Sequence, residues 1–504
     1  LDSSSKGGRS LVNIGERDLA AFFSRAMSAS LSIFLLLSPW SLSGETTFER
    51  TYGGTLRDYA TSIDQTSDGG YIMAGQASSS GPGLNLLKTD SRGRVLWSRL
   101  LDSPADQFSG FSVSQVSDGG YVVCASYWCC PRQATILVVR ADSLGSELWR
   151  REYSSASREY SWGSCIQETE DLGFILTGAV GTTPVLVKLD RAGNTSWENS
   201  YSVGSDSPCR CVRQTHDGGY VAVGGRDDMF MMRLDPSGRI LWAKNYGGTE
   251  KDEGQWVEPT RDGGYILVGY TESRGSGGKD MYLVKTDSLG AILWTKTYGT
   301  EHAEMGYSVR QTADGGYILA GVTHSVGGSD DDGYLVRTDS LGNPLWLRSY
   351  GGDETDKCFS VRETSDGGYA LVGYTGSCGS GDYDIYFVKT DSQGLVESIR
   401  DASVLDIAEP GSDLRAGSAC HISATLKNPG SSCVEYTVVA TIENEYADTV
   451  RVRDREPVEV YEISFKDWIV PEGASETYTL TVYTDLEGDS DPANDFAQKT
   501  ISVR

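Results

Sequence analysis

Short apolar runs recur along most of this 504-residue chain, and one polar phrase precedes each of them. The phrase reads Asp68-Gly-Gly-Tyr, Asp118-Gly-Gly-Tyr, Asp171-Leu-Gly-Phe, Asp217-Gly-Gly-Tyr, Asp262-Gly-Gly-Tyr, Asp314-Gly-Gly-Tyr and Asp366-Gly-Gly-Tyr, and runs such as Ile318-Leu319-Ala320-Gly321 follow it. A second phrase, Asp-x-x-Gly with Trp seven residues after the Asp, joins Asp90 to Trp97, Asp142 to Trp149, Asp190 to Trp197, Asp235 to Trp242, Asp287 to Trp294 and Asp339 to Trp346. An Asp that bonds its own backbone and a Gly that tolerates positive φ make tight connections between strands. Two hairpin turns in a period of about fifty residues predict four strands per unit, the mark of a radial or stacked array. In the fifth unit the strands are expected at 294–298, 307–312, 317–322 and 334–338, running into the sixth by repetition.

Tryptophan recurs once per unit, and a tyrosine usually stands four residues later, as in Trp242 and Tyr246, Trp294 and Tyr298, and Trp346 and Tyr350. Even spacing in a strand puts both rings on one face, where they fill the wedge between neighbouring units. Each ring buries about 150–250 Å², so these aromatics read as core and not as a ligand box. The seventh unit reaches Asp391-Ser392-Gln393-Gly394 and continues without tryptophan, while Phe48 stands four residues before Tyr52 with no hairpin partner of its own. The strand around Phe48 is therefore expected to complete the last unit and close the ring, which removes exposed sheet edges. The prediction is an all-β chain with a seven-bladed β-propeller over 44–400. From about Asp401 the phrases stop, and alternating strands separated by turn residues fit an immunoglobulin-like β-sandwich over 401–504.

Composition narrows the function classes. Sixty glycines with 27 tyrosines and 11 tryptophans suit short strands and tight turns. A formal net charge of −26 opposes phosphate backbones and anionic lipid, so no nucleic-acid partner is expected. Residues 1–43 form an N-terminal extension with an apolar run at 31–37, preceded by Arg25 and followed by Ser41-Leu42-Ser43-Gly44. The run is too short to span a bilayer and reads as an export signal. The mature protein is then expected to be secreted, periplasmic or on the cell surface, with no transmembrane span after signal removal. The chain opens on Leu1, so the true start is either Met27 or lies outside a fragment. Ten cysteines in an exported chain point to disulfides. Cys358 with Cys378 and Cys420 with Cys433 are the pairings with geometric support; buried thiols are the alternative.

The phrase Leu234-Asp235-Pro236-Ser237-Gly238-Arg239-Ile240-Leu241-Trp242 resembles the blade motif of the pyrroloquinoline-quinone propeller superfamily, and the whole unit is similar to repeats of secreted bacterial and archaeal proteins. The likeness implies architecture; propellers host hydrolases, lyases, dehydrogenases and binding scaffolds alike. The C-terminal region is similar to the cell adhesion related domain found in bacteria, through Leu426-Lys427-Asn428-Pro429-Gly430 and Gly488-Asp489-Ser490-Asp491-Pro492-Ala493-Asn494-Asp495. That resemblance implies an extracellular spacer or adhesion module. Cys129-Cys130 after Trp128 resembles the vicinal disulfide of some quinone-dependent dehydrogenases. Those enzymes resemble an eight-bladed pattern, however, and their cofactor and calcium ligands have no counterpart here; a loop disulfide or two thiols is the plainer reading.

Catalytic motifs are absent. His216, His302, His324 and His421 are scattered, and there is no Gly-x-Ser-x-Gly elbow, phosphate loop or His-Glu-x-x-His. A more regular feature is acidic: Asp228, Asp280, Asp332 and Asp384 recur every 52 residues, each seven before a turn Asp, where units one to three have Gly83, Thr135 and Thr183. Four carboxylates on one arc of a rim suit calcium or a basic ligand; the alternative is that each Asp caps a loop through nearby backbone. A second cluster, Asp485, Glu487, Asp489, Asp491 and Asp495, lacks the glycine and terminal glutamate of a helix-loop-helix calcium site and reads as a solvated turn. Two functions follow. One is a non-catalytic scaffold presenting loops 127–134, 271–279, 324–331 and 375–381 to a protein or polysaccharide ligand at the cell surface. The other is an exported enzyme acting on a polysaccharide or other polymer through rim carboxylates.

Overall fold

The computed structural model describes residues 47–503 apart from 81–82, 102–107, 130–132, 155–160, 181, 204–207, 325–329, 353, 380–381, 397–401, 411–412, 428–433, 443–444, 456–459, 473–476 and 487–494. The export-signal region, Cys130 with the side chain of Cys129, and most of the late acidic loop lie outside what the structure describes. The described residues are all-β, with one short 3-10 turn at Ser78–Ser80 and no α-helix. No described helix is long and apolar enough to cross a membrane.

Seven four-stranded antiparallel sheets account for most of the described chain, a propeller-like arrangement. The first pairs Asp58–Gln65, Tyr71–Ala77, Leu84–Thr89 and Val95–Leu101 in chain order. The fifth repeats this with Asp252–Pro259, Tyr265–Thr271, Asp280–Thr286 and Ile292–Tyr298. The strand carrying Trp294 thus ends one sheet and does not begin the next, one step out of phase with the grouping read from the sequence. The cause is local. Asp287 N–H bonds the Ala291 carbonyl (2.9 Å), closing a hairpin onto the strand before it, and the chain crosses to the next sheet only after Tyr298.

The two middle strands are buried along their whole length, Tyr265–Thr271 and Asp280–Thr286 alike, whereas Ile292–Tyr298 is buried only at Tyr298. Sheets covered on both faces need continuous apolar runs, which is why the repeated phrase leads into one. In the seventh sheet Phe48–Tyr52 pairs with Asp384–Thr390, Phe48 opposite Lys389 and Tyr52 opposite Ile385. Ser365 N–H bonds Gln65 Oε1 (2.9 Å), and Arg362 Nε bonds Asp64 Oδ1 (3.0 Å), tying the seventh sheet to the first across about three hundred residues of chain.

Each Asp-Gly-Gly-Tyr turn holds a buried cation. Asp262 accepts from Thr260 Oγ1 (2.5 Å) and Gly264 N–H (3.1 Å), and its other oxygen lies 2.8 Å from Lys285 Nζ. Equivalent pairs join Lys88 to Asp68, Arg140 to Asp118, Lys188 to Asp171, Arg233 to Asp217, Arg337 to Asp314 and Lys389 to Asp366. Burial alone raises a carboxyl, yet these hydrogen bonds hold Asp262 down at about 2.

From about Ala402 the architecture changes. A three-stranded sheet (Ser403–Glu409, Ser423–Lys427, Val460–Ser464) and a five-stranded one containing Val434–Ile442 and Thr477–Asp485 contribute to one apolar core that includes Ile422, Leu426, Val438, Leu480 and Ile501. The expected Cys358–Cys378 bridge is not made. Cys358 is a fully buried thiol packed toward Gly333 of the neighbouring sheet, while Cys378 lies past the strand Tyr369–Thr375, its N–H bonded to Thr375 Oγ1. Cys420 is likewise a buried thiol, and Cys433 lies outside the described residues.

Candidate functional site

The repeating aspartates open the third strand of their sheets. Asp280, Asp332 and Asp384 are the first residues of Asp280–Thr286, Asp332–Thr338 and Asp384–Thr390, and all three are buried. Asp228 is exposed, just before Met229–Leu234. Among the described residues no three of these aspartates gather as a group that could hold a metal ion. Instead, three of them meet a second acid that sequence reasoning passed over.

That second acid opens the first strand of the following sheet. Asp252 N–H bonds the Asp227 carbonyl (3.0 Å), Glu304 N–H that of Lys279 (2.7 Å), Asp356 N–H that of Asp331 (2.6 Å) and Asp58 N–H that of Tyr383 (2.7 Å). This backbone link between sheets brings two carboxyls to one glycine. A Cβ on Gly351 would lie 2.4 Å from Asp356 Oδ2 and 2.7 Å from Asp332 Oδ1. On Gly299 it would lie 2.3 Å from Asp280 Oδ1 and 2.5 Å from Glu304 Oε2, and on Gly53 1.7 Å from Asp384 Oδ1 and 2.9 Å from Asp58 Oδ2. The pairs are therefore Asp332 with Asp356, Asp280 with Glu304, and Asp384 with Asp58. A signal for the second set was present: Asp252, Glu304 and Asp356 also recur every 52 residues, six after the tyrosine that ends the preceding strand.

The second acids act as caps. Asp356 Oδ2 accepts from Gly352 N–H (2.8 Å) and Ser377 Oγ (2.6 Å); Asp252 Oδ2 accepts from Gly248 N–H (2.7 Å) and Ser273 Oγ (2.8 Å). Glu304 Oε2 takes Thr300 N–H (2.9 Å) and Oε1 takes Thr323 Oγ1 (3.0 Å). Asp280 accepts a long bond from Gly277 N–H of its own loop (3.4 Å). Gly275 and Gly379, both at positive φ, fold their loops so closely onto Asp280 and Asp384 that a Cβ would fall within 2.1 and 1.9 Å of a carboxylate oxygen.

The electrostatics follow from this crowding. Burial, and then the charge of Glu304, raises Asp280. Burial followed by Asp356, Asp331 and Asp330 raises Asp332 to about 7. Burial, with Asp356 adding to it, likewise raises Glu49 to about 7 on the closing strand against the hydrogen bond of Tyr386. Beside the Asp332–Asp356 pair, Asp331 forms an ion pair with Lys357 Nζ (2.5 Å) and faces His324 Nδ1 (2.7 Å). Calcium takes six to eight oxygens; among the described residues no group of three or more His, Cys, Asp or Glu is arranged to hold a metal ion, and the rim offers carboxyls in twos.

The opposite ends of the strands carry the two turn phrases. There a cleft of about 530 Å³ between the fourth and fifth sheets is lined by His216, Asp217, Leu241, Trp242, Tyr265 and Leu289. The loops 127–134, 271–279, 324–331 and 375–381 all join a second strand to a third, so they leave from the acidic ends.

No family model matches the chain. It is 26% identical over 183 residues to the regulatory protein FlaEY of Caulobacter vibrioides, a match spanning 30% of this chain and only 19% of that protein. Similar solved structures include YCF48 bound to D1 peptide (TM-score 0.44, 12% identity, 69% of this chain and 96% of that one). The extracellular domains 1–2 of Drosophila Semaphorin 1b align with TM-score 0.41 and 8% identity over 69% of this chain and 87% of that one. A CARDB domain from Pyrococcus furiosus, solved in complex with di-metal ions, aligns with TM-score 0.18 and 21% identity over 21% of this chain and 90% of that domain.

Proposed function

We propose that this chain is a non-catalytic, exported or cell-surface binding scaffold: a closed seven-bladed β-propeller over 44–400 carrying an immunoglobulin-like, adhesion-type domain over 401–504. The observation that carries the reading is the state of the rim acids. Asp280, Asp332 and Asp384 are buried, Asp280 and Asp384 beneath Gly275 and Gly379 of their own loops, and all three are paired with acids that cap turns. A carboxyl employed in this way sets loop geometry and is withdrawn from substrate. The variable loops above it are then held on a rigid frame, the arrangement used for recognition. Their ligand is a protein or polysaccharide of the cell surface.

The test is binding of the purified chain to polysaccharides and isolated cell-envelope fractions, with calcium and again with chelator. Saturable binding without product, lost when alanines replace 272–274 and 376–378 in a protein that still unfolds cooperatively, supports the scaffold. Loss in chelator assigns calcium to the rim. Release of product would replace the scaffold by an exported enzyme acting on a polymer. One observation favours that second reading: burial and the neighbouring acids raise Asp332 to about 7, close to the working pH of a general acid.

A further inference from the structure

The innermost strands of five consecutive sheets bring a charged cluster to one place. The residue two positions after the bulge is Arg213 in the fourth sheet, Glu258 in the fifth, Arg310 in the sixth, Arg362 in the seventh and Asp64 in the first. Ser114 and Gln167 hold the same register in the second and third sheets. These side chains converge: Arg362 Nε bonds Asp64 Oδ1 (3.0 Å), Arg213 Nε bonds Glu258 Oε1 (3.1 Å), and Arg310 reaches the same Glu258 oxygen. Arg213 and Arg310 also cover the Trp256 ring, at 4.2 and 4.5 Å from its centroid. Arg213 and Arg310 both feel the charge of Asp64, although they stand on other sheets.

The charges do not balance. Three guanidinium groups face two carboxylates in a chain whose net charge is −26. Glu258 Oε1 is shared by Arg213, Arg310 and Trp256 Nε1 (2.9 Å), while Arg310 Nε is buried with no hydrogen-bond partner among the described residues. Only 15% of the Arg310 side chain is exposed, and the same holds for Arg362, so solvent screens the surplus charge poorly. Burial and the neighbouring arginines push Arg310 well below its usual range, the cost of a cation that shares its one carboxylate. One internal group competes: the Cys165 sulfur lies 3.7 Å from Cys211 Sγ and accepts from Arg213 Nη1 (3.0 Å). It serves Arg213, so that Arg310 is left with the shared Glu258 oxygen and Arg362 with Asp64.

We propose that Arg310 and Arg362 form the seat of a small oxyanion at the centre of the ring of sheets, a carboxylate or an inorganic oxyanion held by their forked N–H groups. The planar fork suits either chemistry. The seat is separate from the acidic rim and does not depend on the scaffold reading.

The test is calorimetric titration of the full chain at pH 7 with sodium phosphate, sulfate and acetate at constant ionic strength, which separates an inorganic ion from a carboxylate. Saturable one-site binding of at least one anion is expected, weakened tenfold or more in Arg310→Met and in Arg362→Met and unchanged in Cys165→Ser. Arg310→Lys keeps the charge and loses the fork; it carries the same comparison should the methionine variant fail to fold. No saturable binding of any of the three anions overturns the proposal. So does equal affinity in the Arg310 and Arg362 variants, or binding that arises only in Cys165→Ser, which would make the thiolate the native counter-ion.

Discussion

Tyr246 in the fourth sheet donates its hydroxyl to the carbonyl of Gly290 in the fifth (2.8 Å), and it does so beside the Trp242 ring, which lies against the same glycine. Gly290 sits at φ 72°, and a Cβ there would come 2.6 Å from the Trp242 ring. Tyr298 to Gly342 (2.7 Å), Tyr350 to Gly394 (2.8 Å), Tyr201 to Gly238 (2.7 Å) and Tyr52 to Gly93 (2.6 Å) repeat the contact. Each tryptophan or phenylalanine strand thereby clasps the turn of the next sheet. Tyr246→Phe should lose about 1 kcal/mol, the value of one buried hydrogen bond. Gly290→Ala should lose more, about 1–3 kcal/mol, because it adds backbone strain to a clash with a ring held on two sides. Urea unfolding of both variants checks the order.

Asp332 gives a pH dependence of definite sign. Its folded pKa, about 7, lies above the ordinary carboxyl value of 3.8, so its contribution is fully present below that value and is lost as pH rises through 7. Asp332→Asn should therefore raise Tm at pH 8, by about 2–4 °C, and leave it unchanged at pH 4. Thermal scans at the two pH values decide it; an equal shift at both would mean that the carboxyl is ionised throughout.

Asp262 gives the opposite sign. Its folded pKa of about 2 lies below 3.8, so the stability it supplies is present above 3.8 and disappears as pH falls toward 2. Asp262→Asn strands the ammonium of Lys285, whose side chain is only 4% exposed, and should cost about 1–2 kcal/mol. That figure is reduced from a fully buried pair because the carboxyl is 57% exposed. Lys285→Met removes the cation instead and should cost less. Guanidinium denaturation at pH 7 and pH 3 measures both effects, and the penalty of Asp262→Asn should shrink at the lower pH.

One short strand, Phe48–Tyr52, completes the seventh sheet and covers its edge. Deleting 47–52 exposes the edge of Asp384–Thr390, an all-buried strand, and removes the Tyr52–Gly93 clasp. An uncovered apolar edge pairs with other chains. The deletion should sediment as oligomers or aggregates where the intact chain does not, and sedimentation velocity at several concentrations is the check.

Much of this architecture is legible in the linear chain because it is local. A hairpin turn is made by an Asp that bonds backbone two and four residues away and a glycine at positive φ, as at Asp287 and Gly290, and such a unit carries its own signature wherever it recurs. Four strands per repeat, the aromatic wedge and the return of Phe48 to the last strand could be read for that reason. What required the tertiary structure is whatever depends on two repeats meeting. The aspartates read as one arc are separate members of pairs, because the backbone bond that brings Asp356 beside Asp332 forms between sheets. The lysines and arginines under the repeated turns looked like ordinary strand residues until the fold buried them against Asp. The arginine cluster is spread over about three hundred residues of chain, from Asp64 to Arg362. Local bonding repeats in sequence and announces itself; charge balance in a centre shared by many strands is a sum over the whole ring, and only closing the ring performs it.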